Sequence, residues 1–567
     1  MSTNSTLAAL FHQFATILEI SGANAFRINA HTKVARVLED LVDDISTIDD
    51  PASLQGIGKG SASKIEEFLE TGEIHELTEL LESIPSGLLD VMKVQGLGPK
   101  TVRRLWQEAD VTDLQSLKEA ITEGRLVSLP RMGKKTIANI ADSLEFLETS
   151  SIRTRLGVAM PIAEEIVDTL SKLDGILQIQ FVGSLRRGKE TIGDIDILAS
   201  TTNPTLLTTT FCSLKGITKI LVQGETKCSV RLDCGMQVDL RVVEEDVFGA
   251  TLMYFTGSKE HNVLLREHAK KQGKRLNEYG LFDQNEACLA SKTESDIYQN
   301  LGYPYIPPEV REGKSECLLQ TTPNLIEHSD IQSDLHCHTL ASDGHLSIVD
   351  LAREARHRGF HTVAVTDHSK SSVQANGLSQ DRLLKHIREI QAANEEIDGI
   401  TILAGSEVDI HIDGTLDYAD DMLEQLDIVV ASPHASLKQD PSKATARLLA
   451  AIEHPLVHII GHPTGRVLGK RPGLELDMSV LFAAAAETQT ALEINANSWR
   501  LDLRDTHVQG AIEAGVMISI NTDAHSAEDF DQLRYGILTA RRGWVTPDKC
   551  INCFSPSQLK TWLARKC

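Results

Sequence analysis

Three things are scarce in this chain of 567 residues. No uncharged apolar run reaches membrane-spanning length, so no transmembrane helix is expected. The stretch from Thr6 to Leu41 reads as amphipathic helix with charges throughout, which is unlike a secretory leader, and a soluble, cytoplasmic protein is the expectation. Cysteines are few for the length: 9, scattered without a repeating spacing. That pattern suits reduced thiols and excludes a disulfide framework. Cys550 and Cys553 form a CxxC, but with no second pair nearby an incidental spacing outweighs a zinc or redox site. Basic residues are outnumbered, 56 Lys and Arg against 80 Asp and Glu for a net charge of −24. A bulk charge of that sign argues against nucleic acid, yet a phosphate backbone feels the field within a Debye length of ~8 Å. Local basic stripes exist: Lys100, Arg103 and Arg104; Arg131, Lys134 and Lys135; and Arg266, Lys270, Lys271, Lys274 and Arg275. Each could equally be a solvated helix face.

What is present divides the chain into at least three domains, since 567 residues exceed what one core supports. The first 150 residues read as amphipathic helices punctuated by three similar turns, around Gly56-Ile57-Gly58-Lys59, Gly96-Leu97-Gly98-Pro99-Lys100 and Arg131-Met132-Gly133-Lys134. A Gly-apolar-Gly turn entering a helix points backbone N–H groups at an anion, and the lysines add charge. One such turn alone is more often a plain helix cap. Their recurrence at roughly 40-residue spacing favours DNA contact through phosphates. In the third copy Arg131 stands where the others have their first glycine, which requires a different backbone.

From about residue 151 strands alternate with helices. Gly183-Ser184-Leu185-Arg186-Arg187-Gly188 is followed by Gly193-Asp194-Ile195-Asp196-Ile197, and Asp239 lies between apolar neighbours on the segment Gln237 to Val243. Asp194 and Asp196 are two apart and share a strand face, as a pair of ligands for a hard divalent cation would. The Gly-Ser turn and Arg187 offer N–H groups, a hydroxyl and a guanidinium to phosphate oxygens. A mid-strand carboxylate such as Asp239 is costly unless a cation or donor awaits it. This equipment suits the transfer of a phosphoryl or nucleotidyl group. Further along come Tyr254-Phe255-Thr256-Gly257-Ser258-Lys259-Glu260-His261-Asn262 and, one helical turn later, Arg266.

On these motifs residues 1 to about 310 resemble the family X DNA polymerases, the group that includes DNA polymerase beta. The resemblance implies that Asp194, Asp196 and Asp239 hold two magnesium ions, one activating the primer 3′-OH and one neutralising the leaving pyrophosphate. It implies that Gly183, Ser184, Arg187 and Gly193 contact the triphosphate. Tyr254, Phe255 and Gly257 would correspond to the sugar-discriminating turn, Asn262 would face the base, and Arg266 would approach the template. Lys259 departs from the acid that the vertebrate repair enzyme carries, so that contact is not transferred. The family further implies DNA contacts at Gly56, Gly58, Lys59, Gly96, Gly98, Lys100, Gly133 and Lys134. It also suggests a 5′-deoxyribose phosphate lyase whose Schiff-base lysine would be Lys64. That chemistry needs a neutral amine, and an exposed DNA-contact lysine is the competing reading.

The second half runs strand then helix to the end, and its apolar runs keep finishing on metal-type ligands. His336-Cys337-His338 and Asp343, Asp367-His368, Glu407, His434, His462 and Asp523-Ala524-His525 follow six of seven such runs, while Ala491 to Ile494 ends at Asn495. Ligands at the C-terminal ends of successive parallel strands are what a β/α barrel presents at its catalytic face. This half resembles the PHP domain, the polymerase and histidinol phosphatase family, whose members form a distorted seven-stranded barrel. The resemblance places metal ligands at His336, His338, Asp343, His368, Glu407, His434, His462, Asp523 and His525, enough for up to three zinc or manganese ions. It implies a 3′→5′ exonuclease, with 3′-phosphatase or abasic-site endonuclease as alternatives.

The expected architecture is therefore multidomain α+β and α/β. It comprises a helical lyase-like domain over 1–80, helical fingers with helix-hairpin-helix motifs over 81–150, a nucleotidyltransferase palm over 151–245 and a thumb over 246–310. A linker over 311–330 and a (β/α)7 PHP barrel over 331–567 complete it. The expected function is gap filling in DNA repair by a monomer acting on gapped or nicked DNA and deoxynucleoside triphosphates, without membrane partners. Rival readings are a template-independent nucleotidyltransferase with a non-catalytic barrel scaffold, and a small-molecule phosphatase tethered to a DNA-binding module.

Overall fold

The computed structural model describes residues 3–41, 45–48, 50–54, 56–92, 94, 97–130, 132–134, 136–138, 140–141, 144 and 153–566. The chain divides into two compact units, Met1–Ile152 and Arg153–Cys567.

The first unit is helical. Helices Thr3–Ser21, Ala25–Asp40, Lys59–Thr71, Pro99–Ala109 and Leu114–Thr122 bury one apolar face each around Phe11, Phe14, Leu38, Ile65, Val102 and Leu105. In two of the glycine turns the residue between the glycines, Ile57 or Leu97, is buried in this core. That anchor turns the following glycine outward. Gly58 and Gly98 then sit at the N-terminal boundary of a helix with no side chain capping them. The first-turn N–H groups are thus left for an outside acceptor. Gly56 is held at φ 117°, where a Cβ would stand 2.9 Å from Val37, so only glycine fits. In the third turn Met132 is buried and Gly133 and Lys134 are exposed. Gly96, Arg131 and Lys135 lie outside the described residues.

The second unit begins with a five-stranded sheet. Ile195–Thr201 lies between Ile176–Phe181, antiparallel, and Gln237–Val243, parallel, with Lys227–Leu232 and Ile217–Gln223 beyond. The parallel register sets Asp196 directly opposite Asp239. Asp194, expected to share a strand face with Asp196, lies just before the strand rather than in it. Helices Phe248–Thr256, Lys259–Lys271 and Glu294–Leu301 and a small three-stranded sheet follow. They are tied to the palm by an ion cluster in which Glu294 receives Arg186 at 2.8 Å and the fully buried Arg311.

The segment 311–330 is packed rather than free. Arg311 and Glu316 are buried, and the Ile326 N–H donates to the Val545 carbonyl at 2.9 Å. Seven parallel strands in sequential order then form the barrel, from Ser333–Cys337 to Ile518–Asn521. The first and last strands meet at Cys337 and Ala524, and the His338 N–H donates to the Ala524 carbonyl at 2.8 Å, so the ring is nearly closed. Leu335, Val430 and Ile459 fill the interior, and the C-terminal helix Pro556–Leu563 plugs the end away from the ligands with Leu559 and Trp562. A filled interior leaves only the strand C-terminal end for chemistry.

Candidate active sites

The palm site is built by strand register and one glycine. Gly183 has φ 66°, and a Cβ there would stand 2.7 Å from an oxygen of Asp196, so this position admits no side chain beside the carboxylate. Asp239 is oriented by Gln237, whose side-chain N–H donates to it at 2.9 Å, and Lys227 lies 4.0 Å away. Loss of solvation raises the Asp196 pKa, and the Asp194 and Asp239 charges add to it against Arg241 and Lys227, carrying it to about 7. Asp194 is raised by desolvation and by Asp239, with Arg153 opposing. Carboxylates that disfavour their own charge this way bind protons or cations, and a divalent ion relieves both causes at once.

The residues expected around the nucleotide are partly assembled. Tyr254, Asn262 and Arg266 line one small pocket, with the Asn262 amide donating to the Tyr254 carbonyl at 2.7 Å. Phe255 stacks under Arg241 at 4.4 Å. Gly257 has φ 69° and lies against Arg187, whose guanidinium donates to the Thr256 carbonyl and stands 3.8 Å from Glu312. Arg187 is thus already engaged with the thumb side of the cleft. Ser184 is the second residue of the short helical turn Gly183–Arg186, and Gly193 precedes Asp194.

The barrel site is different in kind. Its nine expected ligands converge at the strand ends. Glu407 is the hub: His462 Nε2 lies 2.9 Å from one of its oxygens, His434 Nε2 3.1 Å and His336 Nε2 3.5 Å, while His368 Nδ1 at 2.9 Å and His338 Nε2 at 3.7 Å approach the other. Asp523 lies 3.0 Å from His338 Nε2, and Asp343 lies 3.4 Å from His525 Nε2 and 3.6 Å from His368 Nε2. Ions bound at ~2.0–2.2 Å by nitrogen and oxygen require their donors to stand about 3.3 Å apart. The observed spacings bracket that value.

Buried atoms without a hydrogen-bond partner include His336 Nε2, both ring nitrogens of His338, His368 Nδ1, His462 Nδ1 and both Glu407 oxygens. Imidazole nitrogens and carboxylate oxygens gathered this closely, with so many lacking hydrogen-bond geometry, form a donor set that bound cations would complete. Three overlapping donor groups lie within 4.8 Å: His338, Asp343, His368 and His525; His336, His338 and Glu407; and His368, Glu407 and His434. The palm trio does not close to that spacing among the described residues.

Electrostatics agree. Burial alone would raise Glu407, but His434, His336 and His368 hold it well below the usual carboxylate range, and Asp523 is lowered in the same way. Burial opposes charge on His368, yet Glu407 and Asp343 lift it to about 10, while burial and the His368 and His525 charges push His338 down to about 4. A cavity of about 960 Å³ opens over the cluster, lined by Asp343, His368, Glu407, His434, His462 and also Arg500.

The sequence reading passed over the residues that brace these ligands. Glu493 takes His336 Nδ1 at 2.8 Å and the His462 N–H at 2.7 Å; Asp409 takes His434 Nδ1 at 2.8 Å. Each leaves the other ring nitrogen aimed at the centre, as outer carboxylates do for metal-bound histidine. Asp367 accepts from Thr339 and Ser342 and contacts His386 at 2.8 Å, fixing the loop that carries Asp343. A signal existed in each case. Glu493 is a charge inside a buried strand, and Asp409 lies two residues beyond Glu407 on the same strand face.

Comparison with known proteins follows the same division. Family models match residues 2–74 (helix-hairpin-helix domain), 88–145 (SAM-like helix-hairpin-helix tandem), 159–230 (DNA polymerase beta palm), 251–312 (DNA polymerase beta thumb) and 334–495 (PHP domain). The DNA polymerase/3′-5′ exonuclease PolX of Bacillus subtilis (strain 168) is 39% identical over 560 residues, covering 98% of each chain. The chain belongs to the bacterial PolX family. Probable phosphatases of Thermoanaerobacter sp. (strain X514), 30% identical, and of Shewanella sediminis (strain HAW-EB3), 29% identical, match 41% of this chain and 94% of their own length. Membership accounts for both sites as PolX features, a palm and a PHP barrel on one polypeptide. Among the described residues no helix is long and apolar enough to cross a membrane.

Proposed function

We propose that this PolX fills gaps in DNA at the palm and removes nucleotides from 3′ ends at the barrel. It is a DNA polymerase with a 3′–5′ exonuclease domain, and both domains are of metal-dependent types. The observation that carries the two-site reading is the ring of buried, unpartnered imidazole nitrogens around Glu407. A barrel kept only as a scaffold would have no reason to retain that cost.

At the palm, Asp194, Asp196 and Asp239 are assigned as ligands for two magnesium ions, which when bound supply positive charge to the triphosphate and acidify the primer 3′-OH. The protein's part is to hold three carboxylates at fixed register, to bring Gly183, Ser184 and Gly193 against phosphate oxygens, and to close Tyr254, Phe255, Gly257 and Asn262 over sugar and base. Arg187 reaches the triphosphate by releasing the Thr256 carbonyl. Arg266 would steer the template strand.

At the barrel, the nine ligands would hold up to three zinc or manganese ions, which when bound supply an activated water and a charged clamp for a phosphate. Arg500 on the cavity wall offers the scissile phosphate a bidentate partner. Phosphomonoester removal at a 3′ end is a second reading of this site, favoured by the match of the barrel to probable phosphatases over nearly their full length.

DNA would be gripped through the glycine turns, at Gly56, Gly58 and Lys59, at Gly96, Gly98 and Lys100, and at Gly133 and Lys134. The lyase reading of Lys64 meets an obstacle. Its amine lies 2.8 Å from Glu76 and donates to the Gly60 carbonyl at 3.2 Å, so it is already committed to two partners. A Schiff base at Lys64 requires that pair to break on DNA binding. Borohydride trapping of a 5′-deoxyribose phosphate end, lost in Lys64→Ala and increased in Glu76→Gln, is the expected result; trapping unchanged in Lys64→Ala removes the assignment. For the main reading, the test is an activity panel on gapped DNA with wild type, Asp196→Ala and His336→Ala. Loss of both activities in either variant contradicts two independent sites.

A further inference from the structure

The barrel does more than carry its own site: its helix Leu533–Arg542 forms the back wall of the palm's glycine turn. Gly188 ends that turn at φ 63°, and a Cβ there would stand 3.1 Å from the Leu538 side chain. Arg542, the last residue of the helix, is almost fully buried and reaches three parts of the molecule. Its Nη1 donates to the Arg187 carbonyl at 2.9 Å and the Glu309 carbonyl at 3.1 Å, and lies 3.0 Å from the Glu312 carboxylate. On its other edge Nε and Nη2 meet Asp505 at 2.8 and 2.6 Å, which anchors the fork in the barrel.

The groups it holds are the two walls of the nucleotide cleft. Arg187 closes the Gly183–Gly188 turn. Glu312 receives Lys189 at 2.8 Å and faces Arg187, and the neighbouring Arg311 carbonyl accepts the Ser258 N–H at 3.1 Å, which fixes the Gly257 turn. The adjacent Arg541 reinforces the same grip, with Glu309 at 2.7 Å and the Ile326 carbonyl at 2.9 Å. A planar guanidinium with its donors committed in a fixed fork defines the separation of what it binds, which a lysine's single ammonium cannot do.

We propose that Arg542 of the PHP barrel is a positioning residue for nucleotide binding at the palm, setting the spacing between the Gly183–Gly188 turn and the Thr256–Ser258 turn. It touches neither substrate nor metal ligand. The inference rests on the reading that these two turns face the incoming nucleotide. In that arrangement the barrel is a component of the polymerase pocket as well as a separate catalyst.

The test is steady-state gap filling by the full-length protein carrying Arg542→Ala, Arg542→Lys or Ser184→Ala. KM for the nucleotide, kcat, affinity for gapped DNA and melting temperature are read for each. Arg542→Ala is expected to raise KM about tenfold with kcat and DNA affinity within about twofold of wild type, and Arg542→Lys to fall between. Ser184→Ala, which probes the turn itself, is expected to raise KM as well. A KM within twofold of wild type in folded Arg542→Ala overturns the proposal. If that variant does not fold, the same result in Arg542→Lys overturns it. Loss confined to kcat, or a fall in DNA affinity equal to the rise in KM, also overturns it. If Ser184→Ala raises KM and the Arg542 variants do not, this inference fails alone; if none does, the assignment of the turn fails with it.

Discussion

The palm and the barrel gather their candidate ligands for divalent cations in opposite ways. The palm offers two carboxylates on adjoining strands and a third just before one of them, partly buried and repelling one another, with Gln237 orienting Asp239. The barrel offers nine candidate ligands, five of them imidazoles around one buried glutamate, and the His336 and His434 rings are clamped from behind by Glu493 and Asp409. The difference teaches where each site gets its ions. An oxygen-only, loosely spaced set suits magnesium, which dehydrates reluctantly and is completed by substrate phosphates. A nitrogen-rich, preassembled set suits a resident transition ion. On the proposed assignments the palm would be finished by its substrate and the barrel by its fold.

The most severe test of this contrast is to remove one ligand from each. Asp196→Ala should lower gap filling by at least about a thousandfold, since the transition-state charge it helps to hold has no other partner. Exonuclease on the same protein should stay within about twofold. His336→Ala should give the converse. Parallel primer extension and 3′ degradation assays decide it, and a shared loss would erase the distinction between the sites.

Next in size is the response to chelation. Dialysis against chelator should strip the palm at once, and polymerase should return in full on adding magnesium. Exonuclease should survive brief exposure, decline slowly, and return only with zinc or manganese. Metal analysis of the protein as purified should find ions in wild type and Asp196→Ala and fewer in His336→Ala. Ions lost equally from both variants would mean that the palm, too, is preassembled.

Most of the barrel cluster was visible in the sequence because its polar residues lie at or near the ends of apolar runs in a repeating strand-helix unit, where the C-terminal face of a barrel gathers them. The polar residues from His336 to His525 stand out at the ends of those runs, while the set of nine as ligands came from the resemblance to the PHP domain. The bracing layer was harder. Glu493 is hidden by the run in which it lies, because a strand facing the barrel centre on one side and helices on the other reads as apolar throughout. The palm was legible as an aspartate pair beside a glycine turn, but only the parallel pairing of two strands some forty residues apart sets Asp239 against Asp196. Nothing local to Arg187 or Arg542 announced their mutual contact, which depends on how the barrel helix meets the palm. The stretch 311–330 looked like linker for the same reason: Arg311 and Glu316 are buried by partners distant in sequence.

A moderate effect isolates the bracing layer. Glu493→Gln keeps shape and one acceptor but removes the charge behind His336, and outer carboxylates of this kind are worth about 10–100-fold in metal affinity or activity. Exonuclease should fall by that factor and respond to added metal, with polymerase unchanged. An effect under twofold would make the imidazoles self-supporting and the barrel less preorganised than its geometry implies.

The smallest effect on activity concerns what the palm has in place of a bracing layer. Its turn and thumb are joined by Glu294 between Arg186 and Arg311, a buried ion cluster in which truncating one partner leaves uncompensated charge at about 3–5 kcal/mol. Burial by itself would raise the Glu294 pKa, but Arg311 and Arg186 reverse this and hold it at about 2. A depressed carboxylate contributes stability that is complete above its unfolded value near 4.5 and is lost as pH falls toward about 2. Glu294→Gln should therefore lower unfolding free energy by about 3 kcal/mol at neutral pH, and the gap to wild type should shrink between pH 4.5 and 2. Denaturant titration across that range checks the sign. Polymerase kcat in folded variant should change less than in any palm ligand mutant, because the cluster holds the walls of the cleft and not the reacting oxygens. A pH-independent gap would show that Glu294 acts through shape and not charge, and the palm would then owe its rigidity to packing, as the barrel does.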